Sequence, residues 1–139
     1  MKDLRTFIED MEERHPGEIL RVQRTVDARF EISSVIRRLQ EERKFPAVFF
    51  ENVRGSDHGV MTNVHATRDR MVYGMGVPDR KAMLRAWSER LENPIAPIDV
   101  ETGPVKEVIH LGEACDLRRL PIVTHAEQDS GAFITAGVL

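Results

Sequence analysis

The chain has 139 residues, 41% apolar and 31% charged, with a net charge of −3, the totals of an ordinary globular domain able to bury a core. Arginines interleaved with acids leave no basic footprint for nucleic acid, and no apolar run approaches the roughly 20 residues of a membrane span. A lone cysteine, Cys115, excludes an internal disulfide and fits a reducing cytoplasm.

In chain order, Met1-Lys2-Asp3-Leu4-Arg5 reads as a helix start and not a signal peptide. Asp3 is placed to cap a helix whose Leu4, Phe7, Ile8 and Met11 make one apolar stripe, ended by His15-Pro16-Gly17. Glu18 to Thr25 alternates and predicts a strand. Asp27 starts a second helix or the turn before it. Ile32, Val35, Ile36 and Leu39 repeat the apolar stripe, and Arg37, Arg38, Glu41, Glu42 and Arg43 form its wet face. Pro46 stops that helix. Ala47 to Phe50 is a continuous apolar run, read as a buried strand, followed by a polar loop from Asn52 to Gly59.

Val60 to Val64 is a further short strand. Thr67 is an N-cap candidate for a helix carrying Met71, Val72 and Met75. Gly74-Met75-Gly76 lies after helical periodicity and not after a strand, so it reads as a helix end and not as a phosphate loop. Pro78-Asp79 opens another helix with Met83, Leu84, Trp87 and Leu91 expected to face inward. Truncating Leu84 or Trp87 is then expected to cost about 2–5 kcal/mol. Asn93 to Pro104 reads as an extended connector, Val105 to His110 as an alternating strand, and Asp116 to Leu120 as a short helical turn. Ala132 to Leu139 carries no charge over its length and predicts a strand buried on both faces once another chain or a longer protein flanks it, and unpaired without that cover. The order of elements gives an α+β fold, a mixed sheet of short strands with packed helices.

None of the five histidines, His15, His58, His65, His110 and His125, makes the spacing of a zinc site. His125-Ala126-Glu127 lacks the cysteine pair that a zinc deaminase places downstream. No Gly-x-Ser-x-Gly elbow, Walker loop or activated cysteine pattern is present. Cys115 reads as a small residue beside a turn. Two candidates remain. His125, Glu127 and Asp129 form either a solvated loop that caps the last strand or a binding group placed just before it. Thr135, a hydroxyl within an apolar run, either bonds a neighbouring backbone or faces a ligand.

Three stretches resemble one family. The proline-led loop, its His and acids, the small turn and Phe133-Ile134-Thr135-Ala136-Gly137 resemble the UbiD family of reversible decarboxylases, which use prenylated FMN. Asp3-Leu4-Arg5-Thr6-Phe7-Ile8 resembles the family's opening. Val26 to Val35, followed by Pro46 to Gly55, resembles its helix and strand after the first hairpin. The resemblance covers nearly all of the chain. It implies an N-terminal α+β domain over residues 1–112. Residues 113–139 would then be the linker and first strand of a split-barrel domain that binds prenylated FMN. It implies removal or addition of CO2 on an aromatic or α,β-unsaturated carboxylic acid, with prenylated FMN as electron sink and Mn2+ and K+ at the cofactor phosphate. It places Thr135 near the cofactor. The family's catalytic Arg and Glu residues and its metal ligands follow later in the chain, so no catalytic or metal-binding residue is carried over to these positions. The chain alone is expected to be inactive. The expected partners are a small carboxylic acid, the remainder of the enzyme or a second chain, and further copies in a homo-oligomer. Rival readings are a non-catalytic assembly subunit that donates a strand, and a small-molecule binding module.

Overall fold

A computed structural model describes residues 3–135. Four α-helices, α1 (Leu4–Arg14), α2 (Glu31–Glu41), α3 (Arg68–Met75) and α4 (Arg80–Glu92), combine with strands β1 (Ile19–Val22), β2 (Ala47–Phe50) and β3 (Val60–Thr62). The sheet order is β1-β2-β3, with β1 parallel and β3 antiparallel to β2. Ile19 pairs with Ala47 and Val22 with Phe50, and on the other side Phe50 pairs with Val60. β2 is therefore paired on both edges, as its unbroken apolar run predicts.

The helix ends follow local chemistry. The side chains of Asp3, Thr67 and Asp79 accept from the backbone N–H of Thr6, Arg70 and Ala82, each satisfying a donor that the first helical turn leaves unpaired. Gly76, at φ 66°, closes α3 in the left-handed region. This is the helix stop expected of Gly74-Met75-Gly76.

Strand alternation divides the sheet into two faces. Val48 and Phe50, both fully buried, point to α2 and join Ile32, Val26 and Val53, with Val35, Ile36 and Leu39 packed alongside. Arg21 and Phe49 point to the other face. There Arg21 sits over the Phe49 ring and binds Glu12 of α1 at 2.6 Å, and α1 buries Ile8 and Met11. Val123 returns to the first face and enters the core, so the segment after the connector is anchored on the sheet. Ser56 Oγ adds a tie, donating to the carbonyl of Arg119 at 2.8 Å.

Two expectations are corrected. First, α4 does not turn Leu84, Trp87 and Leu91 inward. They are 72%, 57% and 68% exposed, while Ala82, Met83 and Ala86 are half-buried. Among the elements, α4 packs on α3, so its small side suffices for contact and its broad apolar stripe has no cover within the described residues. Leu84→Ala and Trp87→Ala should therefore shift the stability of this chain by no more than about 0.5 kcal/mol. Urea denaturation checks this, and a loss of about 2 kcal/mol or more would restore the inward packing. Second, Val105 to His110 forms no strand. Pro104–Lys106 is a 3-10 turn, and Val105, Val108 and Ile109 are exposed. Alternation makes a strand only where a neighbouring edge accepts its hydrogen bonds, and none is offered among the described residues. Residues 132–135 carry no strand pairing in this chain, and Phe133 and Ile134 are exposed, so the chain alone does not test the strand expected beside the rest of the enzyme. Residues 136–139 of the expected strand lie outside the described residues.

Candidate functional site

An open cleft of about 1410 Å³ lies between the start of α2, the segment that leaves β3, and the loop that begins at His125. Its first wall carries Phe30, Ser33 and Arg37. Its second carries Asn63, Val64, His65 and Ala66. The loop contributes His125 and Glu127, and Thr135 lies at the rim.

The first wall is built around a strained residue. Phe30 precedes α2 at φ 67° without a side-chain cap, a conformation that costs on the order of 1–3 kcal/mol for a residue with a Cβ. Hydrogen bonds hold it from both sides. Its N–H donates to the carbonyl of Thr124 at 3.0 Å, and its carbonyl accepts from the N–H and Oγ of Ser34. The N–H of Thr124 returns to the carbonyl of Ala28 at 3.2 Å. The turn before α2 is fixed by two acids. Asp27 Oδ1 accepts from the N–H of Arg29, and Glu31 Oε2 accepts from the N–H of Asp27, both at 2.7 Å. That backbone donor, with Arg24 second, lowers the pKa of Glu31 below its ordinary value. The anchor is therefore fully formed at neutral pH and weakens only as the pH falls through the lowered value.

These bonds bring residues far apart in sequence together. His125 Nδ1 lies 3.2 Å from Ser33 Oγ, and its ring packs on Phe133 with centroids 5.0 Å apart. Asp129 does not face the cleft. Its Oδ2 accepts from the N–H of His125 and of Ala126, at 3.1 and 2.8 Å, so this acid closes the loop. With its carboxylate given to the backbone, it does not orient the imidazole, and the Ser33–His125 pair lacks the third member of a hydrolytic triad. His125, Glu127 and Thr135 thus share one cleft, and Asp129 supports them. Of the other histidines, His65 lies on the second wall, His15 packs against Tyr73, and His110 is exposed. Among the described residues, no three His, Cys, Asp or Glu side chains form a group able to hold a metal ion. No helix there is long and apolar enough to cross a membrane.

The sequence alone did not mark the residues that shape the second wall. Asn63 turns the chain at φ 57°, and its buried Nδ2 has no hydrogen-bond partner among the described residues. Behind it, Arg70 is the one buried charged side chain of the described residues. In the sequence it stands in Arg68-Asp69-Arg70, where nothing separates the buried arginine from the exposed one.

The comparisons with known proteins agree with this fold. Residues 8–91 match the 3-octaprenyl-4-hydroxybenzoate carboxy-lyase N-terminal domain, and residues 97–139 match the Rift-related domain of the same carboxy-lyase. A pyrrole-2-carboxylic acid decarboxylase of Pseudomonas aeruginosa is 36% identical over 94% of this chain and 28% of its own length. Among solved structures, an evolved dimeric form of the UbiD-class enzyme HmfF from Pelotomaculum thermopropionicum, in complex with prFMN, superposes with a TM-score of 0.81 at 31% identity. That match covers 95% of this chain and 30% of HmfF. The open form of the vanillic acid decarboxylase of Sedimentibacter hydroxybenzoicus gives 0.79 at 31% identity, covering 96% of this chain and 30% of that one. The chain therefore spans less than a third of these relatives. With one family domain matched across more than half of its residues and the next matched in order behind it, the chain belongs to the UbiD family of decarboxylases.

Proposed function

We propose that the chain is the N-terminal portion of a decarboxylase that uses prenylated FMN and acts reversibly on an aromatic carboxylic acid. The observation that carries this reading is the in-order match to two domains of the carboxy-lyase, together with the superposition on an enzyme in complex with prFMN. The relatives' substrates favour an aromatic acid over other α,β-unsaturated acids. Pyrrole-2-carboxylic and vanillic acids, named for two of the relatives above, and 3,4-dihydroxybenzoic acid, named for a decarboxylase of Enterobacter cloacae 27% identical to this chain, all place the carboxylate on an aromatic ring.

In this reading residues 1–112 form the α+β domain, and residues 113–139 lead into the flavin-binding split barrel. Thr135 is the residue assigned to the cofactor. Its place at the rim of a cleft with mixed polar and apolar walls fits a flavin edge, toward which its hydroxyl can donate or accept a hydrogen bond. When bound, prenylated FMN supplies the electron sink for the carbanion left by CO2. This chain's own residues contribute binding and exclusion of water. His125 offers a ring backed by Phe133, and the Ser33–His125 pair offers a polar contact held by the loop that Asp129 closes. Mn2+ and K+ are assigned with the cofactor phosphate to the remainder of the enzyme, and no step is assigned to a metal here. The apolar surface of α4 and of the connector from Ile95 to Leu111 is assigned to contact with the remainder of the enzyme, or with a second chain of a cytoplasmic homo-oligomer.

Activity tests this directly. The full enzyme, reconstituted with prenylated FMN and Mn2+, is expected to release CO2 from at least one of pyrrole-2-carboxylate, vanillate and 3,4-dihydroxybenzoate. The 139-residue chain, given the same additions, is expected to release none. Release by the chain alone, or turnover of none of these acids by the full enzyme, would overturn the reading.

A further inference from the structure

We propose that Arg70 is a positioning residue for substrate binding, acting from behind the cleft through the backbone of Asn63 and Val64. This rests on the decarboxylase reading above. The Arg70 side chain is 1% exposed, and its guanidinium spans four acceptors. Nε donates to the carbonyl of Val64 and Nη2 to that of Asn63, both at 3.1 Å. Nη2 also reaches the carbonyl of Phe45, and Nη1 the carboxylate of Glu18. Two of these acceptors belong to the second wall of the cleft. The other two lie at the entrances of β2 and β1.

The wall has little else to hold it. β3 ends at Thr62, so no strand ladder continues through Asn63–Ala66. The chain reverses there at Asn63, with Ala66 N–H donating to the Asn63 carbonyl at 3.0 Å. That carbonyl therefore takes two hydrogen bonds, and the one from Arg70 ties the turn to the body of the domain. On the opposite side the same four residues line the cleft. The arrangement requires a guanidinium. Its planar fork reaches several acceptors at fixed angles, whereas a lysine offers one ammonium nitrogen. The pairing with Glu18 supplies the opposite charge that a buried cation needs, but it does not touch the wall. The two contributions are therefore separable by mutation.

The test uses the full enzyme with prenylated FMN and pyrrole-2-carboxylate as substrate. Arg70→Lys is expected to raise KM about tenfold with kcat within about twofold, the pattern of lost binding rather than lost transition-state stabilisation. Amides of residues 63–66 should exchange about tenfold faster, while those of β2 keep their protection. Glu18→Gln removes the charge pair but leaves the carbonyl contacts, and should leave KM within about twofold of wild type. An unchanged KM in folded R70K, or a rise in E18Q equal to that in R70K, would overturn the proposal. Should wild type turn over none of the acids, the decarboxylase reading fails on its own, and exchange at residues 63–66 still decides whether Arg70 sets the wall.

Discussion

Phe50→Ala is expected to destabilise the chain by about 3–5 kcal/mol, the range for truncating a fully buried aromatic residue. Phe50 has no exposed surface and sits at the end of the one strand paired on both edges. Its ring supports α2 through the cluster that includes Ile32. The space around it does not readily collapse. Val26, Ile32, Val48 and Val53 are buried in the same cluster as the ring, so its surroundings are close-packed and a cavity would persist. Because α2 carries the first wall of the cleft, the variant should also loosen Ser33 relative to His125. Urea denaturation gives the number. A loss below about 1 kcal/mol would show that α2 does not rest on this ring.

Arg70→Met is the second large effect, expected to cost about 2–4 kcal/mol. Removing one partner of a buried ion pair typically costs about 3–5 kcal/mol. Here Glu18 is 40% exposed and regains water when the arginine is gone, which lowers that figure. Three carbonyls lose a donor at the same time, each worth about 1–3 kcal/mol where water cannot replace it. Methionine keeps most of the apolar stem, so the loss reports the guanidinium and not the packing. A change under about 0.5 kcal/mol in a denaturation curve would mean that water takes over all four contacts.

What was legible in the sequence is what local bonds and periodicity decide. Asp3, Thr67 and Asp79 were placed as caps or helix openers, and each accepts the expected N–H. The stripe Ile32, Val35, Ile36, Leu39 packs with Val48 and Phe50, the alternate residues of the run Ala47 to Phe50, in one core. The α+β class followed from these. The misses share a different cause. Leu84, Trp87 and Leu91 have a helical phase, but phase says which residues share a face and not whether anything covers it. Val105 to His110 alternates, but no strand edge lies beside it. Arg70 is buried because Glu18, Phe45 and the Asn63-Val64 pair converge on it from three places in the chain, and no window of sequence contains that convergence. In the site, the loop from His125 to Asp129 was visible as a cluster of polar groups. That Asp129 closes the loop while His125 meets Ser33, 92 residues away in sequence, depended on the anchoring of Thr124 to the turn before α2.

In the proposed reading this chain is one portion of a larger decarboxylase fold, and the rest of the enzyme covers its exposed apolar residues. Hydrogen exchange of the chain alone and of the full enzyme tests it most directly. In both, amides of β2 and the interior of α2 should be protected alike. Amides of residues 95–102, 108–111 and 134 should exchange close to the rate of an unstructured chain in the isolated piece, and about 100-fold or more slowly in the full enzyme, where the exposed apolar residues among them gain cover. Strong protection of those residues in the isolated chain, or none in the full enzyme, would contradict the account.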